Sequence, residues 1–224
     1  MERFLHRIEV FISLPKSLYL NFILFPFRIA IKLPILIKFN VALQIKKRTK
    51  VTITDNVKTA MICIGFNAIG TQDSSERTIL NLGGNLYFHG CATIGQGTKI
   101  SCSELASIIF GENFQVSGGL TLICEKKISM GRNVLIGWNT TIMDCDYHET
   151  IDTNTHKKSN ISKEIYIGDN VWQAMNSIVL KGSYIPKGSI IGAGAVVSGK
   201  FEEENILIAG NPARVCKHNI TRLI

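Results

Sequence analysis

The sequence predicts an all-β solenoid of hexapeptide repeats, with a helical segment before it and a short extension after it. The first observation is that apolar side chains recur at every sixth residue, whereas a helix repeats every ~3.6 residues and a strand every ~2. The second is that this phase recurs along most of the chain. The positions are Ile167, Gln173, Val179, Ile185, Ile191 and Val197, preceded by Leu82, Phe88, Ile94, Ile100, Phe110, Val116, Met130, Ile136 and Ile142.

The third observation is that small residues or proline often follow these positions, as at Gly168, Ala174, Pro186 and Gly192. This pattern indicates short strands separated by tight corners. Three hexads would form one coil, with each apolar position stacked on its counterpart ~4.8 Å along the axis. A β-sandwich would instead favour a period of two and Asn-Gly or Asp-Gly hairpin turns, and the chain contains neither dipeptide.

The charge distribution divides the chain. Residues 1–50 contain ten Lys or Arg and two Glu, so they account for the whole formal excess of +8, and they hold six of the eleven Phe. Pro15, Pro26 and Pro34 are expected to begin or end helices. We therefore predict a basic, aromatic-rich helical segment over 1–50, a β-helix domain over 51–198 and a C-terminal extension or cap over 199–224.

Basic and aromatic residues together suggest helices at an anionic membrane surface, although helices that only cover the open end of the solenoid would explain them too. No run approaches the ~18 apolar residues of a membrane span, and no secretory signal is recognisable. The six cysteines form no Cys-x-x-Cys pair, which favours reduced thiols and a cytoplasmic protein, at the inner membrane face if the helices contact lipid. Nucleic acid is not an expected partner, because apolar residues interleave with the basic ones.

Two polar stretches interrupt the repeat. Residues 71–77 are expected to form a surface loop, and residues 144–163 leave the solenoid directly after Ile142. Loops on a rigid scaffold commonly carry the chemistry of a protein. In the second loop His148 has acidic neighbours, Asp146 and Glu149, which could hold the imidazole in one tautomer and make it a better base.

Four motifs carry a resemblance to a known family. They are Ile142-Met143-Asp144-x-Asp146-x-His148, Ile167-Gly168-Asp169-Asn170-Val171-Trp172, Ile191-Gly192-Ala193-Gly194-Ala195-Val196-Val197 and Ala209-Gly210-Asn211-Pro212-Ala213-Arg214-Val215. With them, the chain after residue 50 resembles the left-handed β-helix hexapeptide-repeat O-acetyltransferases. The likeness is strongest to the branch that acts on capsular and lipopolysaccharide sugars, and weaker to the maltose and galactoside acetyltransferases. The left hand comes only from this resemblance, because the general rule for parallel crossovers predicts the opposite.

The resemblance implies acetyl transfer from acetyl-CoA to a sugar hydroxyl, without a metal, in a cleft between subunits of a homotrimer. His148 would be the general base, and either Asp146 or Glu149 would orient it. A backbone N–H would stabilise the oxyanion. An alternative makes Cys145 the nucleophile, activated by His148.

The resemblance also assigns binding residues. The expected contacts of the cofactor arm are Trp172, Ala174, Met175, Gly192, Ala193, Ser198 and Gly199, and Arg214 and Lys217 would bind the CoA phosphates. The expected acceptor-side residues are Ser117, Glu125 and Asp144. Trp172 would either close the site beside His148 or pack on a neighbouring subunit. Two departures are Gln173, an amide where an aliphatic residue is usual, and Met175, where a small residue is common.

Parts of the sequence also fit other classes of function. A zinc hydratase on the same solenoid would need three histidine ligands, for which His89, His148 and His156 are the candidates in the repeat region. A non-catalytic scaffold at the membrane would need only the basic helices. A transferase could also act on a small soluble acceptor, either an antibiotic or an amino sugar.

Overall fold

The protein is a triangular solenoid in which each coil contributes one strand to each of three parallel sheets. The computed structural model describes residues 2–66, 73 and 75–223, with side chains from Ile8 onwards. Residues 71, 72 and 74 of the surface loop expected over 71–77 therefore lie outside the described residues. Strands of successive coils pair in parallel and in register, so the predicted parallel β-helix is confirmed.

The strands fall into three sheets and one small hairpin. Sheet A contains β1 (Ile35–Ile37), β4 (Ile62–Phe66), β7 (Ala92–Gly95), β10 (Phe114–Val116), β13 (Leu135–Ile136), β18 (Trp172–Gln173), β21 (Ile190–Ile191), β23 (Leu207–Gly210) and β24 (Ala213–Lys217). Sheet B contains β2 (Ala42–Ile45), β5 (Ile79–Leu82), β8 (Lys99–Cys102), β11 (Thr121–Cys124), β14 (Thr141–Met143), β19 (Ile178–Leu180) and β22 (Val196–Val197). Sheet C contains β3 (Lys50–Ile53), β6 (Asn85–Phe88), β9 (Ser107–Phe110), β12 (Lys127–Met130), β17 (Ile165–Ile167) and β20 (Tyr184–Ile185). The hairpin pairs β15 (Thr150–Ile151) with β16 (Lys158–Ser159).

The core is built from the residues at hexad spacing. Every such position named from the sequence is 3% exposed or less, which confirms that these side chains point inward. They stack in columns along each sheet, as in Ile136–Gln173–Ile191. Burying one large apolar side chain contributes about 1.5–3 kcal/mol, so the repeat itself supplies the main stabilisation.

Asparagine forms the corners between sheets C and A. Asn113, Asn133 and Asn170 have φ of 55°, 54° and 60°, a left-handed conformation that asparagine adopts more readily than most residues. Their amides hydrogen-bond along the axis at 3.2 and 3.0 Å. Each corner is thus tied to the next.

The N-terminal segment is less helical than predicted. Helix α1 (Glu2–Leu24) is followed by α2 (Phe27–Ala30), and the expected helical segment 1–50 then continues as β1, β2 and the start of β3. Within the described part of the chain, no helix is both long and apolar enough to cross a membrane.

Helix α1 covers the open edge of sheet A with polar side chains. The Ser17 hydroxyl accepts the Ile37 N–H at 3.0 Å, and the Asn21 side chain pairs with both backbone groups of Ile35. These contacts satisfy edge-strand groups that would otherwise be free to pair with another chain. The solenoid end is closed by this helix.

The C-terminal extension begins later than predicted. β23 still pairs in parallel with β21, so the solenoid continues beyond residue 198. β24 then folds back antiparallel onto β23 and ends sheet A.

Candidate functional site

The longest interruption of the described coils is the loop over residues 144–163, which leaves the solenoid between β14 and β17. It therefore projects from the corner between sheets B and C. The loop borders a surface cavity of about 520 Å³. The cavity is lined by Glu125, Cys145, Asp146, Tyr147, His148, Glu149, Asn160, Ile161 and Ser162.

His148 lies in this cavity with its side chain exposed. Among the described residues its imidazole has no hydrogen-bond partner, whereas its backbone carbonyl accepts the Asn160 side-chain amide at 2.6 Å. The residue is thus held through its backbone, and its ring nitrogens are free to contact a substrate.

The acidic neighbours of His148 do not orient the imidazole in this structure. Asp146 pairs with Lys181 at 2.6 Å, and Glu149 pairs with Lys158 at 2.6 Å. The Lys181 ammonium, through its hydrogen bond, holds the pKa of Asp146 below its usual range. Each carboxylate is thus paired with a lysine and not with the imidazole, and no feature of the sequence indicated the contact from Lys181.

Asp144 has a structural position and not the acceptor-side position expected from the sequence. Its side chain is fully buried, and its carboxylate accepts the N–H groups of Glu125, Lys126 and Lys127 at 2.7–2.9 Å. The Cys124 thiol also contacts this carboxylate, and its complete burial leaves no face for a ligand. It anchors the base of the loop to the preceding coil.

Glu125, another expected acceptor-side residue, lines the His148 cavity, and its carboxylate accepts the Ser103 hydroxyl. Cys145 also lines the cavity but is nearly fully buried. Burial raises the pKa of its thiol to about 11. Since the thiolate is the nucleophilic form, this environment disfavours Cys145 as the nucleophile.

A second surface feature is an apolar groove of about 490 Å³ at the corner between sheets A and B. Five of the residues expected to contact the cofactor arm line this groove. Its lining is Ser117, Leu135, Gly137, Trp138, Trp172, Ala174, Met175, Ile190, Gly192, Ala193 and Leu207. No described residue lines both the groove and the His148 cavity.

Close backbone approach shapes the groove. A Cβ at Gly137 would lie 2.9 Å from the Met175 nitrogen, so only glycine fits there without displacing the next coil. Met175, which stands where a small residue is common, lines the groove and is 42% exposed.

Three groove residues bear on the expectations from the sequence. Ser117, expected beside the acceptor, lines the groove and not the His148 cavity. Trp172 also lies in the groove, so it does not close the His148 cavity of its own chain. Trp138 was not anticipated, and its Nε1 is buried without a hydrogen-bond partner among the described residues. An aromatic residue outside the hexad phase was the only signal for it.

The remaining cofactor residues lie at two places. Arg214 and Lys217 are exposed on β24, where Lys217 pairs with the groove residue Leu207 and Arg214 with Ala209. Ser198 and Gly199 line another cavity, of about 580 Å³, that shares Ile161 and Ser162 with the His148 cavity. The expected cofactor residues therefore lie in two places on the solenoid, one at the groove and the other beside the loop.

The histidines proposed as an alternative metal site do not converge. Nδ1 of His89, which directly follows β6 of sheet C, lies 2.8 Å from the Thr54 hydroxyl. His148 belongs instead to the loop over residues 144–163. Across the residues described here, no group of three His, Cys, Asp or Glu side chains could hold a metal ion.

Comparison with known proteins gives a consistent result. No family model matches the chain. The "Putative lipopolysaccharide biosynthesis O-acetyl transferase WbbJ" of Escherichia coli K12 is 30% identical over 142 residues, which cover 60% of this chain and 72% of that protein. The "Polysialic acid O-acetyltransferase" of Escherichia coli O1:K1 is 30% identical over 54% of this chain and 39% of that protein.

A solved structure agrees in fold. The crystal structure of the polySia-specific acetyltransferase NeuO superimposes with a TM-score of 0.61 and 22% identity, and it covers 84% of this chain and 74% of that one. At that identity the likeness concerns the fold alone. The 30% identity to the WbbJ protein over 72% of its length shows that this chain belongs to the hexapeptide-repeat O-acetyltransferases and is an acyltransferase.

Proposed function

We propose that this enzyme transfers the acetyl group of acetyl-CoA to a hydroxyl of a cell-surface polysaccharide sugar or its precursor, with His148 as the general base. The observation that carries the proposal is the unpartnered imidazole of His148 in a cavity wide enough for a sugar. The relatives named above for lipopolysaccharide and polysialic acid favour a saccharide acceptor.

The chemistry requires one proton carrier. A neutral ring nitrogen of His148 would take the hydroxyl proton as the sugar oxygen attacks the thioester carbonyl, because a sugar hydroxyl is scarcely ionised near neutral pH. The resulting oxyanion would collapse and break the C–S bond. The CoA thiolate would then receive the proton from the imidazolium, which restores the neutral base.

The donor would lie along the apolar groove. Small residues such as Ala174, Gly192 and Ala193 leave space for a pantetheine arm against the coil backbone. Arg214 and Lys217, near the end of the groove on β24, would bind the phosphates of CoA.

The groove and the His148 cavity lie at different corners, so we infer that a complete site needs two chains. A homotrimer would bring the loop of one chain to the groove of its neighbour, with Trp172 at the contact. Light scattering after gel filtration tests this arrangement. A monomer with full activity would overturn it.

We also propose that the enzyme works at the cytoplasmic face of a membrane, held by α1. The helix buries polar residues and exposes apolar ones, among them Phe11 at 73%, Tyr19 at 63% and Phe22 at 47%. Glu9 of α1 is paired with Lys38, and the sequence contains no Asp or Glu between Glu9 and Asp55, so an anionic bilayer would meet little like charge there.

Vesicle sedimentation tests this membrane contact. The protein should sediment with phosphatidylglycerol vesicles, and Phe11→Glu should weaken the association. Equal recovery of both proteins in the supernatant would contradict it.

The main experiment compares two histidines of the same loop. His148→Asn removes the base, whereas His156→Asn alters an exposed residue that does not line the cavity, and asparagine tolerates its left-handed φ of 53°. Release of CoA in the presence of saccharide acceptors should fall about 10²- to 10⁴-fold in the first variant only. Acetyl-CoA affinity, measured by calorimetry, should be the same in both.

The outcomes separate the parts of the proposal. Near-full turnover in His148→Asn would exclude the general-base role. Absence of acetyl-CoA binding would exclude the donor, and transfer to a small amine but to no saccharide would exclude the acceptor class.

A further inference from the structure

We propose that Lys181 is a positioning residue that fixes the loop carrying His148 in its reactive geometry. This inference rests on the proposed function of His148. Lys181 directly follows β19, in the coil after the one that the loop interrupts. It belongs to the rigid solenoid and contacts the loop from outside.

The contacts of Lys181 join both ends of the loop. Its ammonium donates to the Asp146 carboxylate at 2.6 Å, and it also donates to the side-chain and backbone oxygens of Asn160. The amide of Asn160 in turn donates to the His148 carbonyl at 2.6 Å. Lys181 therefore binds both Asp146, two positions before His148, and Asn160, which holds the His148 backbone.

The environment of this ammonium supports a positioning role. The Lys181 and Asp146 side chains are 16% and 40% exposed, so this ion pair is more shielded from water than the loop's other pair, Lys158–Glu149, at 67% and 56%. Shielding from water strengthens an ion pair. Lys181 therefore holds the loop more firmly than the pair at the hairpin.

The backbone on either side of the cavity needs such support. Tyr147 and Asn160 have φ of 58° and 60°, in the left-handed region. A bulky residue such as tyrosine adopts this conformation at a cost, so surrounding contacts must maintain it. Without Lys181 the loop would relax, and His148 would move relative to a bound acceptor.

Lys181 is not itself placed to act on the reacting atoms. It lines the adjoining cavity with Ser198 and not the His148 cavity, and its ammonium already has three oxygen partners. Its effect on catalysis would pass through Asp146 and Asn160.

The test compares three variants of the full chain: Lys181→Met, Lys181→Arg and, as a control of equal charge change, Lys187→Met at an exposed corner. Lys181→Met should lower kcat about 10- to 100-fold, the size of effect expected when a reacting group is misplaced by about 1 Å. Its acetyl-CoA Kd and its Tm should match those of the unaltered protein. Arginine should recover part of kcat, and Lys187→Met should keep full activity.

Hydrogen exchange gives a readout independent of turnover. Peptides covering residues 145–162 should exchange faster in Lys181→Met, while peptides from β8 and β11 should be unchanged. An unchanged loop, or a kcat equal to that of Lys187→Met, would overturn the inference. If His148→Asn retains turnover while Lys181→Met loosens the loop, the base assignment fails and the positioning contact stands.

Discussion

The coils of the solenoid and the loop over residues 144–163 are held by different forces. In the coils, buried side chains repeat in register, and Phe110 stacks on Phe88 with ring centroids 4.7 Å apart. In the loop, the hairpin has two residue pairs and most side chains are exposed. Polar contacts from Asp144 and Lys181 connect it to the coils.

This difference separates stability from chemistry. Apolar burial in the coils supplies the free energy of folding, so the loop can expose His148 without a compensating core of its own. Substitutions in the two regions should therefore change different measured properties. A core change should lower the free energy of unfolding, and a change near His148 should lower turnover.

The largest effect on stability is expected at Phe110. This ring is fully buried and contacts both Phe88 and Phe114. Phe110→Ala should lower the free energy of unfolding by about 3 to 5 kcal/mol, since it removes transfer free energy and leaves a cavity. Urea unfolding followed by circular dichroism would measure it.

The exposed Phe11 of α1 provides the matched control for Phe110. Its side chain is 73% exposed, so Phe11→Ala should change the free energy of unfolding by less than about 0.5 kcal/mol. Equal losses in the two variants would mean that α1 is packed against another surface in solution. The contrast between buried and exposed aromatic residues would then fail.

The sequence predicted the coils well because their signal is local and repeated. Ile167, Val179 and Ile185 needed no partner to be recognised as core residues. Strands β1 and β2 were missed because the identity of Leu36 as a strand residue depends on pairing with Cys63, far along the chain. A basic residue in this segment, Lys38, is buried and paired with Glu9, although its charge indicated a surface position.

The site was predicted less completely, for the same physical reason. His148 stands out in the sequence because it interrupts the repeat beside acidic residues. Its supporting contact, Lys181, lies 35 residues beyond Asp146 and is brought close only by the stacking of coils. Sequence neighbours could therefore suggest Asp146 and Glu149 as orienting acids, but they could not show that lysines occupy both carboxylates.

A smaller effect is expected at Asp144, where the coils meet the loop. Asp144→Asn keeps the shape but removes the charge that accepts three backbone N–H groups. Hydrogen bonds to a charged acceptor contribute about 1.5 to 3 kcal/mol, so we expect a loss of about 2 to 3 kcal/mol in the free energy of unfolding. Thermal and urea unfolding would both register it.

The same variant tests the acceptor-side assignment that the structure corrects. If Asp144 serves the fold, the KM for a saccharide acceptor should change little in the molecules that remain folded. A large rise in that KM with unchanged stability would show instead that the carboxylate reaches the acceptor.

The smallest effect is expected at Gln173, the one polar residue among the hexad positions of the last coils. Its amide nitrogen donates to the Ser177 carbonyl at 3.3 Å, whereas its Oε1 is buried with no partner among the described residues. Gln173→Met keeps the length of the side chain and removes the unsatisfied acceptor, so it should raise the free energy of unfolding by about 1 kcal/mol. Gln173→Glu, which buries a carboxyl at the same position, should lower it. A loss of stability in the methionine variant would indicate that Oε1 has a partner in solution, such as a bound water. This coil would then be held partly by a polar contact, as the loop is, and not by apolar burial alone.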